Sequence, residues 1–362
     1  PRQHSGGSPE EQKANLDSAS ALPKVHSSLI ERWTELAQPD ASADDLRAFV
    51  QALDANQLLE LAEFLCAANQ FGPVQSLILP TLQRKWGRDV PFEALTELVA
   101  TKATNPLFRT LLVDLVCAAR GTATPVDRDL VATRLLPLAM DGGEDPQFRA
   151  HVIKHLSTVL QMGTTQTSVA GDSLLGLVTE PTTAPEVKGA CITALRRIGD
   201  ERALPLLADE CRGFDDTTSD PLVARHAVVA LAKYAKAADA DTPIDAMRHV
   251  IADTTDARVY GSGVYAASLL NDGQFLELLP SIVSSMPRHE TPTAQRSVIS
   301  AVRKHEAAVI QALHSDDRQT LLAGVRACTL VSISDAREPL KAIASSLPEH
   351  RELIDQAIRK AT

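Results

Sequence analysis

Aromatic residues and long apolar runs are both scarce in this chain. Phe, Trp and Tyr make up 4% of its 362 residues, although 44% of the residues are hydrophobic. The core must therefore be built from Leu, Val, Ile and Ala, which suits helices that stack closely. No run of about 18 apolar residues occurs, so we expect no transmembrane helix, which needs about 20.

Cysteine pairs and catalytic motifs are also missing. No Cys-x-x-Cys spacing marks a zinc knuckle or a redox pair, and no Gly-x-Ser-x-Gly motif marks a serine nucleophile. We therefore predict no catalytic residue, no metal and no cofactor. The odd number of cysteines favours a reducing compartment, and we expect these residues to be small buried hydrophobic side chains. They are Cys66, Cys117, Cys191, Cys211 and Cys328.

A positive excess of charge is absent as well. The formal net charge is −10, and acidic and basic residues are interspersed along the chain. Proteins that bind DNA or RNA phosphates normally present a basic face. We therefore expect no nucleic-acid partner.

The first residues, 1–27, lack helical periodicity and are rich in Ser and Gly, so we predict a linker tail. The first residue is Pro rather than Met, and we expect an upstream segment to have been removed. A cytoplasmic location is favoured. A processed extracytoplasmic form is the alternative, because a removed signal followed by a linker would leave the same start.

What the chain does have is a twelve-residue pattern that recurs six times between Asn105 and Val302. The starts of successive copies lie 40, 39, 36, 36 and 35 residues apart. A period in this range is typical of stacked helical repeats. The six copies are NPLFRTLLVDLV, DPQFRAHVIKHL, APEVKGACITAL, DPLVARHAVVAL, DARVYGSGVYAA and TPTAQRSVISAV.

The pattern predicts how each copy begins and which face it buries. Position one is mostly Asp, Asn or Thr, whose side-chain oxygen caps a helix start, and position two is Pro in five of six copies. Positions four, eight, nine and twelve are apolar or small, which draws one stripe along a helix. Position eleven is usually small and would let a neighbouring helix approach. A turn and a second apolar helix follow each copy, and neighbouring copies must stack to bury the stripes.

The third copy resembles HEAT repeats, and especially the HEAT-like repeats of phycobilisome-lyase type. Val187-Lys188, Ala194-Leu195 and Ile198-Gly199-Asp200 are similar to the family pattern V-R-x-x-A-x-x-A-L-x-x-I-G-D, with Lys in place of Arg. The fourth copy matches nearly as well, although its Arg225 lies one place late. The resemblance implies an all-α, right-handed α-α superhelix of the armadillo type, an α-solenoid whose second helices line the concave side.

The same resemblance sets the domain organisation. We predict about seven HEAT-like units over residues 105–347, the seventh starting near Asp317. That start lies only 26 residues after Thr291, so the second helix of unit six must be short. Residues 28–104 are predicted to form an N-terminal helical capping region, with a separate helical domain as the alternative. Residues 348–362 are predicted to form a C-terminal capping helix.

Charged side chains recur on the predicted second helices, where we expect a surface that faces a protein partner. A solvated surface without a partner is the alternative for each residue alone. The predicted partner-binding residues of these helices are Asp209, Arg212, Asp245, Arg248 and Glu277.

The fifth copy departs from the others. It carries Tyr260 and Tyr265, and it places Gly261 and Gly263 inside a helix, where glycine costs about 1 kcal/mol relative to alanine. One interpretation is packing, with Gly263 admitting a neighbour and a tyrosine ring filling space. The other is that both tyrosines open onto a binding groove, and we include them among the predicted partner-binding residues.

His151 and His155 have the i, i+4 spacing of a metal-binding pair. Val152 stands where the zinc-protease motif requires Glu, and the sequence identifies no third ligand. We therefore predict a structural or surface role for this pair.

These observations predict a non-enzymatic helical-repeat scaffold that binds a protein partner through its concave surface. The alternative is an enzyme on a HEAT-like scaffold, similar to bilin lyases or to DNA glycosylases. The acidic charge argues against the glycosylase, and no cysteine–acid arrangement marks the lyase.

Overall fold

The structure is a computed structural model. It describes residues 27–38, 42–85, 97–101, 105–118, 124–235, 241–289 and 291–361. Every regular element in these ranges is helical, which confirms the predicted all-α class. None of the described helices is both long enough and apolar enough to cross a membrane. The chain divides into two compact units: unit 1 is Pro1–Glu144 with Met162–Gln166, and unit 2 is Asp145–Gln161 with Thr167–Thr362.

Polar side chains cap the starts of two helices of unit 1. Ser42 accepts a hydrogen bond from the N–H of Asp45 at the start of α2, and Asp54 forms a reciprocal capping box with Gln57 at the start of α3. A short turn and a π-helical segment, Val74–Ile78, lead into α4. Within the predicted capping region, residues 39–41, 86–96 and 102–104 lie outside the described residues. The helices are α1 (Ser27–Leu36), α2 (Ala43–Ala52), α3 (Ala55–Ala67), α4 (Leu79–Lys85), α5 (Pro106–Ala118) and α6 (Pro125–Met140).

A buried ion pair joins α5 to the turn after α6. The Arg109 guanidinium donates to both carboxylate oxygens of Glu144, at 3.0 Å each, and its Nε donates to the carbonyl of Val99. Only 5% of the Arg109 side chain and 8% of the Glu144 side chain are exposed. Because both charges are out of water, removal of the Glu144 carboxylate would be costly.

Unit 2 contains the remaining copies of the repeat. Each copy forms a first helix, and a second helix follows it in the chain. These helices are α7 (Pro146–Gln161), α8 (Thr167–Thr179), α9 (Pro185–Ile198), α10 (Ala203–Arg212), α11 (Pro221–Tyr234), α12 (Asp241–Asp253), α13 (Ala257–Ala267), α14 (Asp272–Ser285), α15 (Pro292–Lys304), α16 (Glu306–Ala312), α17 (Arg318–Leu330), α18 (Arg337–Ser346) and α19 (Arg351–Lys360).

Helices of the same kind pack on each other in series. Among first helices, α7 packs on α9, α9 on α11, α11 on α13 and α13 on α15. Among second helices, α10 packs on α12 and α12 on α14. Helix α16 has only seven residues, and α14 therefore contacts both α16 and α17. This confirms the prediction that the second helix of the sixth copy is short. The final helix, α19, packs on α17 and α18.

The capping role predicted for position one is confirmed where that residue carries a side-chain oxygen. Asp220 accepts from the N–H of Leu222, and Thr291 accepts from that of Ala294. Asn105, Asp145 and Asp256 cap α5, α7 and α13 in the same way. Ala184, the exception, makes no such bond. Local chemistry therefore places the helix starts.

The predicted stripe is buried throughout the third copy. Val187, Cys191, Ile192 and Leu195 have no exposed surface, and Ala194 at position eleven is equally enclosed. The predicted turn that follows is also present, since Gly199 ends α9 in the left-handed conformation, with φ of 75°.

Hydrogen bonds between copies join residues about one repeat apart. Tyr234 donates to the carbonyl of Asp200, 34 residues away, and Lys233 to that of Arg196, 37 residues away. Asp216 accepts from the side chain of Thr254 and from both the backbone and the side chain of Thr255. The acidic loop at Asp216 thus connects neighbouring copies.

Candidate functional site

The five charged residues predicted on the second helices form one continuous chain of ion pairs. Arg212 lies 4.0 Å from Asp209 and 3.2 Å from Asp245. Arg248 lies 3.6 Å from the other oxygen of Asp245 and 3.4 Å from Glu277. We call these five residues the charge ladder: Asp209, Arg212, Asp245, Arg248 and Glu277. The structure therefore brings together side chains from α10, α12 and α14.

Helical spacing and repeat stacking together produce the charge ladder. Within α10 and within α12, an Asp stands three residues before an Arg, which places both on one face. Stacking of α10 on α12 and of α12 on α14 then aligns the pairs. The side chains are 39% to 79% exposed, so the charges face water and are screened by salt. Three carboxylates and two guanidiniums leave the charge ladder with one formal negative charge.

A groove opens beside the first residue of the charge ladder. It has a volume of about 510 Å³ and lies between α8, α9 and α10. Asp209 lines it, together with Lys188, Glu210 and the apolar side chains of Val178 and Leu206. Burial raises the pKa of Glu210, and the ammonium of Lys188 partly opposes this effect. We call this the α10 groove.

A second groove, of about 460 Å³, lies at the other end, where the short α16 lets α14 meet α17. Pro280, Val283 and Leu322 supply apolar surface, and the groove also carries charges of both signs, from Asp317, Arg318 and Arg326. Helix α14 also carries Glu277 of the charge ladder. We call this the α14 groove, and the two grooves offer apolar surface that the charge ladder itself lacks.

Tyr260 does not belong to this surface, which corrects its place among the predicted partner-binding residues. Its side chain is fully buried, its hydroxyl donates to the carbonyl of Ile282 at 2.5 Å, and its ring stacks on His289 with centroids 4.2 Å apart. Burial also raises the pKa of the hydroxyl. Gly263 has a packing reason too, because a Cβ there would lie 2.7 Å from Ile251.

Tyr265 is 54% exposed, and it lines a groove between first helices instead of the charge ladder. The two tyrosines are five residues apart, which turns them by about 140° around a helix with 3.6 residues per turn. The sequence thus contained the signal that they cannot share a face.

The two histidines of α7 lie against each other. The ring centroids of His151 and His155 are 4.6 Å apart, and the ring planes are tilted by 50°. Both side chains are half-buried.

Every cysteine is buried and free of disulfides. Burial raises the pKa of Cys66 to about 11 and that of Cys191 and Cys328 to about 12, and it also raises the pKa of Cys211. A thiol with a raised pKa is a poor nucleophile at neutral pH. These observations favour small buried hydrophobic residues.

Sequence reasoning missed both grooves. Lys188 had been noted only as a departure from the family pattern, and Glu210 lies beside the apolar positions of α10. Nothing in the sequence around Lys188 or Glu210 indicates that the two side chains line one groove. No protein-family model matches the chain, and no curated protein is significantly similar to it.

Proposed function

We propose that unit 2 is a HEAT-like α-solenoid, a right-handed α-α superhelix, whose second helices bind a protein partner. The observation that supports this function most is the charge ladder, which runs unbroken over three second helices between two grooves. Stacked repeats typically offer such extended surfaces to proteins. The partner contact would combine apolar side chains in the grooves with charged ones along the charge ladder.

The charge ladder would give specificity more than affinity. Each of its arginines is already shared between two carboxylates, so a partner exchanges existing ion pairs for new ones. Exposed pairs contribute little net energy, but a complementary charge pattern speeds association and fixes the register of binding. The apolar side chains Val178 and Leu206 in the α10 groove, with Val283 and Leu322 in the α14 groove, would supply most of the buried area.

The test is a charge exchange within the charge ladder. The double variant Asp209→Arg with Arg248→Glu reverses two of its positions and leaves the net charge of the chain unchanged. A matched control, Arg303→Glu with Glu352→Arg, makes the same exchange at exposed positions outside the charge ladder and both grooves. Proteins captured from the native organism by each variant are quantified by mass spectrometry.

We expect at least one partner to be captured by wild type and control and lost by the ladder variant. Its capture by wild type should also weaken as salt is added, because exposed charges are screened. Equal recovery of every partner by the ladder variant and the control would refute the proposed surface. The alternative of an enzyme on this scaffold stays a prediction.

A further inference from the structure

A third groove lies between the first helices of the fourth, fifth and sixth copies. Its volume is about 420 Å³, and helices α11, α13 and α15 line it. Arginine and hydroxyl side chains contribute to its lining, together with the apolar Ala257. Two guanidiniums, from Arg225 and Arg258, and the hydroxyls of Ser262, Thr293 and Tyr265 face it. We call it the polar groove.

Arg225 is the residue that points to an anion. It is half-buried, and its Nε donates to the hydroxyl of Ser262 at 3.3 Å. Among the described residues, no carboxylate forms an ion pair with it. A guanidinium has five N–H donors, so most of its donors remain for a ligand. A half-buried positive charge without a carboxylate is favourable only if an anion or water satisfies it.

Arg258 stands beside it in a prepared orientation. Its guanidinium is held by Asp256, with one nitrogen 2.9 Å from Oδ2, while the side chain stays 70% exposed. Asp256 also caps α13, so both the carboxylate and the arginine that it holds are fixed. The Asp220 carboxylate, at the start of α11, also acts on Arg258, so two carboxylates lie near the two guanidiniums, but neither forms an ion pair with Arg225.

Gly261 keeps the floor of the polar groove open. An added Cβ there would meet only the Ser297 hydroxyl, at 3.9 Å, so no packing contact requires glycine. Its backbone has no positive φ that would require it either. In the repeat, the equivalent position six is Arg225 in the fourth copy and Arg296 in the sixth, whereas the third copy has Gly189, which packs against His226. Glycine therefore removes a side chain from the position that lines the groove, at a cost of about 1 kcal/mol in helix propensity.

The hydroxyls complete a donor set. Ser262 accepts from Arg225, and Thr293 accepts from Arg296, which leaves the proton of each hydroxyl for a ligand. Tyr265 presents its ring and hydroxyl at the exposed edge. Guanidiniums and hydroxyls around one groove match the three terminal oxygens of a phosphate monoester better than the two of a carboxylate.

We propose that the polar groove binds a phosphate monoester, with Arg225 and Arg258 on the phosphate oxygens. The phosphate belongs either to a phosphorylated peptide side chain or to a free small molecule. This site lies on first helices, so it does not depend on the function proposed for the charge ladder.

The experiment measures phosphate binding by ³¹P NMR titration. The probes are inorganic phosphate and N-acetyl-phosphoserine amide, with acetate as a carboxylate competitor. The variants are Arg225→Gln, which removes the charge, and Gly261→Leu, which fills the groove and keeps both arginines. Arg303→Gln, on the same helix as Thr293 but outside the groove, is the matched control. Circular dichroism melting shows whether each variant is folded.

We expect Arg225→Gln and Gly261→Leu each to weaken phosphate binding about tenfold or more. Arg225→Gln removes charge-assisted hydrogen bonds, and the leucine side chain of Gly261→Leu occupies the space that the phosphate would fill. Arg303→Gln should bind like wild type. If Arg225→Gln does not fold, the phosphate binding of Gly261→Leu alone tests the proposal. Tighter binding of the phosphoserine probe than of inorganic phosphate would identify a peptide source, and similar binding a free small molecule. No wild-type binding, equal binding by all variants, or equal competition by acetate would overturn the proposal.

Discussion

Helix α13 contains two glycines two residues apart, and replacing each with alanine tests the packing of the repeats. At Gly263 the added Cβ would lie 2.7 Å from Cγ1 and 3.4 Å from Cδ1 of Ile251, which is itself fully buried in α12. At Gly261 the nearest atom is the Ser297 hydroxyl, at 3.9 Å. One substitution therefore overpacks a core contact, and the other enters open space.

Two effects set the changes in stability: both substitutions remove a helical glycine, and only Gly263→Ala introduces a steric clash. Both variants gain about 1 kcal/mol because alanine favours a helix interior more than glycine does. Gly263→Ala also loses about 1–3 kcal/mol, the usual cost of overpacking a buried site. Because the propensity gain is common to both, Gly263→Ala should be about 1–3 kcal/mol less stable than Gly261→Ala, and Gly261→Ala should be more stable than wild type.

Urea unfolding followed by circular dichroism measures this difference, and hydrogen exchange in α12 and α13 shows whether it is local. The two variants have the same composition, so their difference is insensitive to most effects on the unfolded chain. Equal stability of the two variants would refute the reasoning, since Ile251 would then not lie against α13.

Three further predictions use the same measurements. Leu195→Ala, in the buried stripe, should cost about 2–5 kcal/mol, whereas Lys188→Ala on the same helix should cost much less; similar losses would mean that the repeat register is wrong. Glu144→Gln should cost about 3–5 kcal/mol because Arg109 would lose this buried carboxylate, and a loss near zero would show that the pair is not buried. Burial opposes ionisation of Asp216, but hydrogen bonds from the loop after α12 outweigh it and lower its pKa. The stabilisation from these hydrogen bonds is present above the pKa of Asp in the unfolded chain, about 4, and is lost as the pH falls through the lower pKa of the folded state. Asp216→Asn should therefore be less stable than wild type at pH 7, and this difference in the free energy of unfolding should disappear in acid. A gap that is independent of pH would contradict this assignment.

Much of the fold could be predicted because its signals are local. Asp220 and Thr291 cap helices through backbone atoms two or three residues away. Leu195 belongs to an apolar stripe that follows the helical period and is buried. The short α16 followed from the distance between two caps. The charge ladder could also be anticipated, because local i, i+3 pairs recur with the repeat period. Its binding of a partner stays a prediction.

The residues that sequence reasoning misplaced depend on contacts between copies. Tyr260 was grouped with Tyr265, yet α14 and His289 enclose it. Asp216 lies in a loop rich in Asp, Thr and Ser, yet it accepts hydrogen bonds from a loop 38 and 39 residues further along the chain. Composition does not distinguish such residues from exposed ones, because their surroundings come from another repeat.

The sequence by itself determined the helical class, the repeat period, the helix starts and the buried stripe, since caps and apolar spacing act within one or two turns of the chain. Only the tertiary structure decided which polar side chains meet. Arg225, Arg258 and Thr293 come from three different first helices, and Lys188 and Glu210 from a first and a second. The grooves exist because stacking sets the distance and rotation between helices, which no single helix encodes.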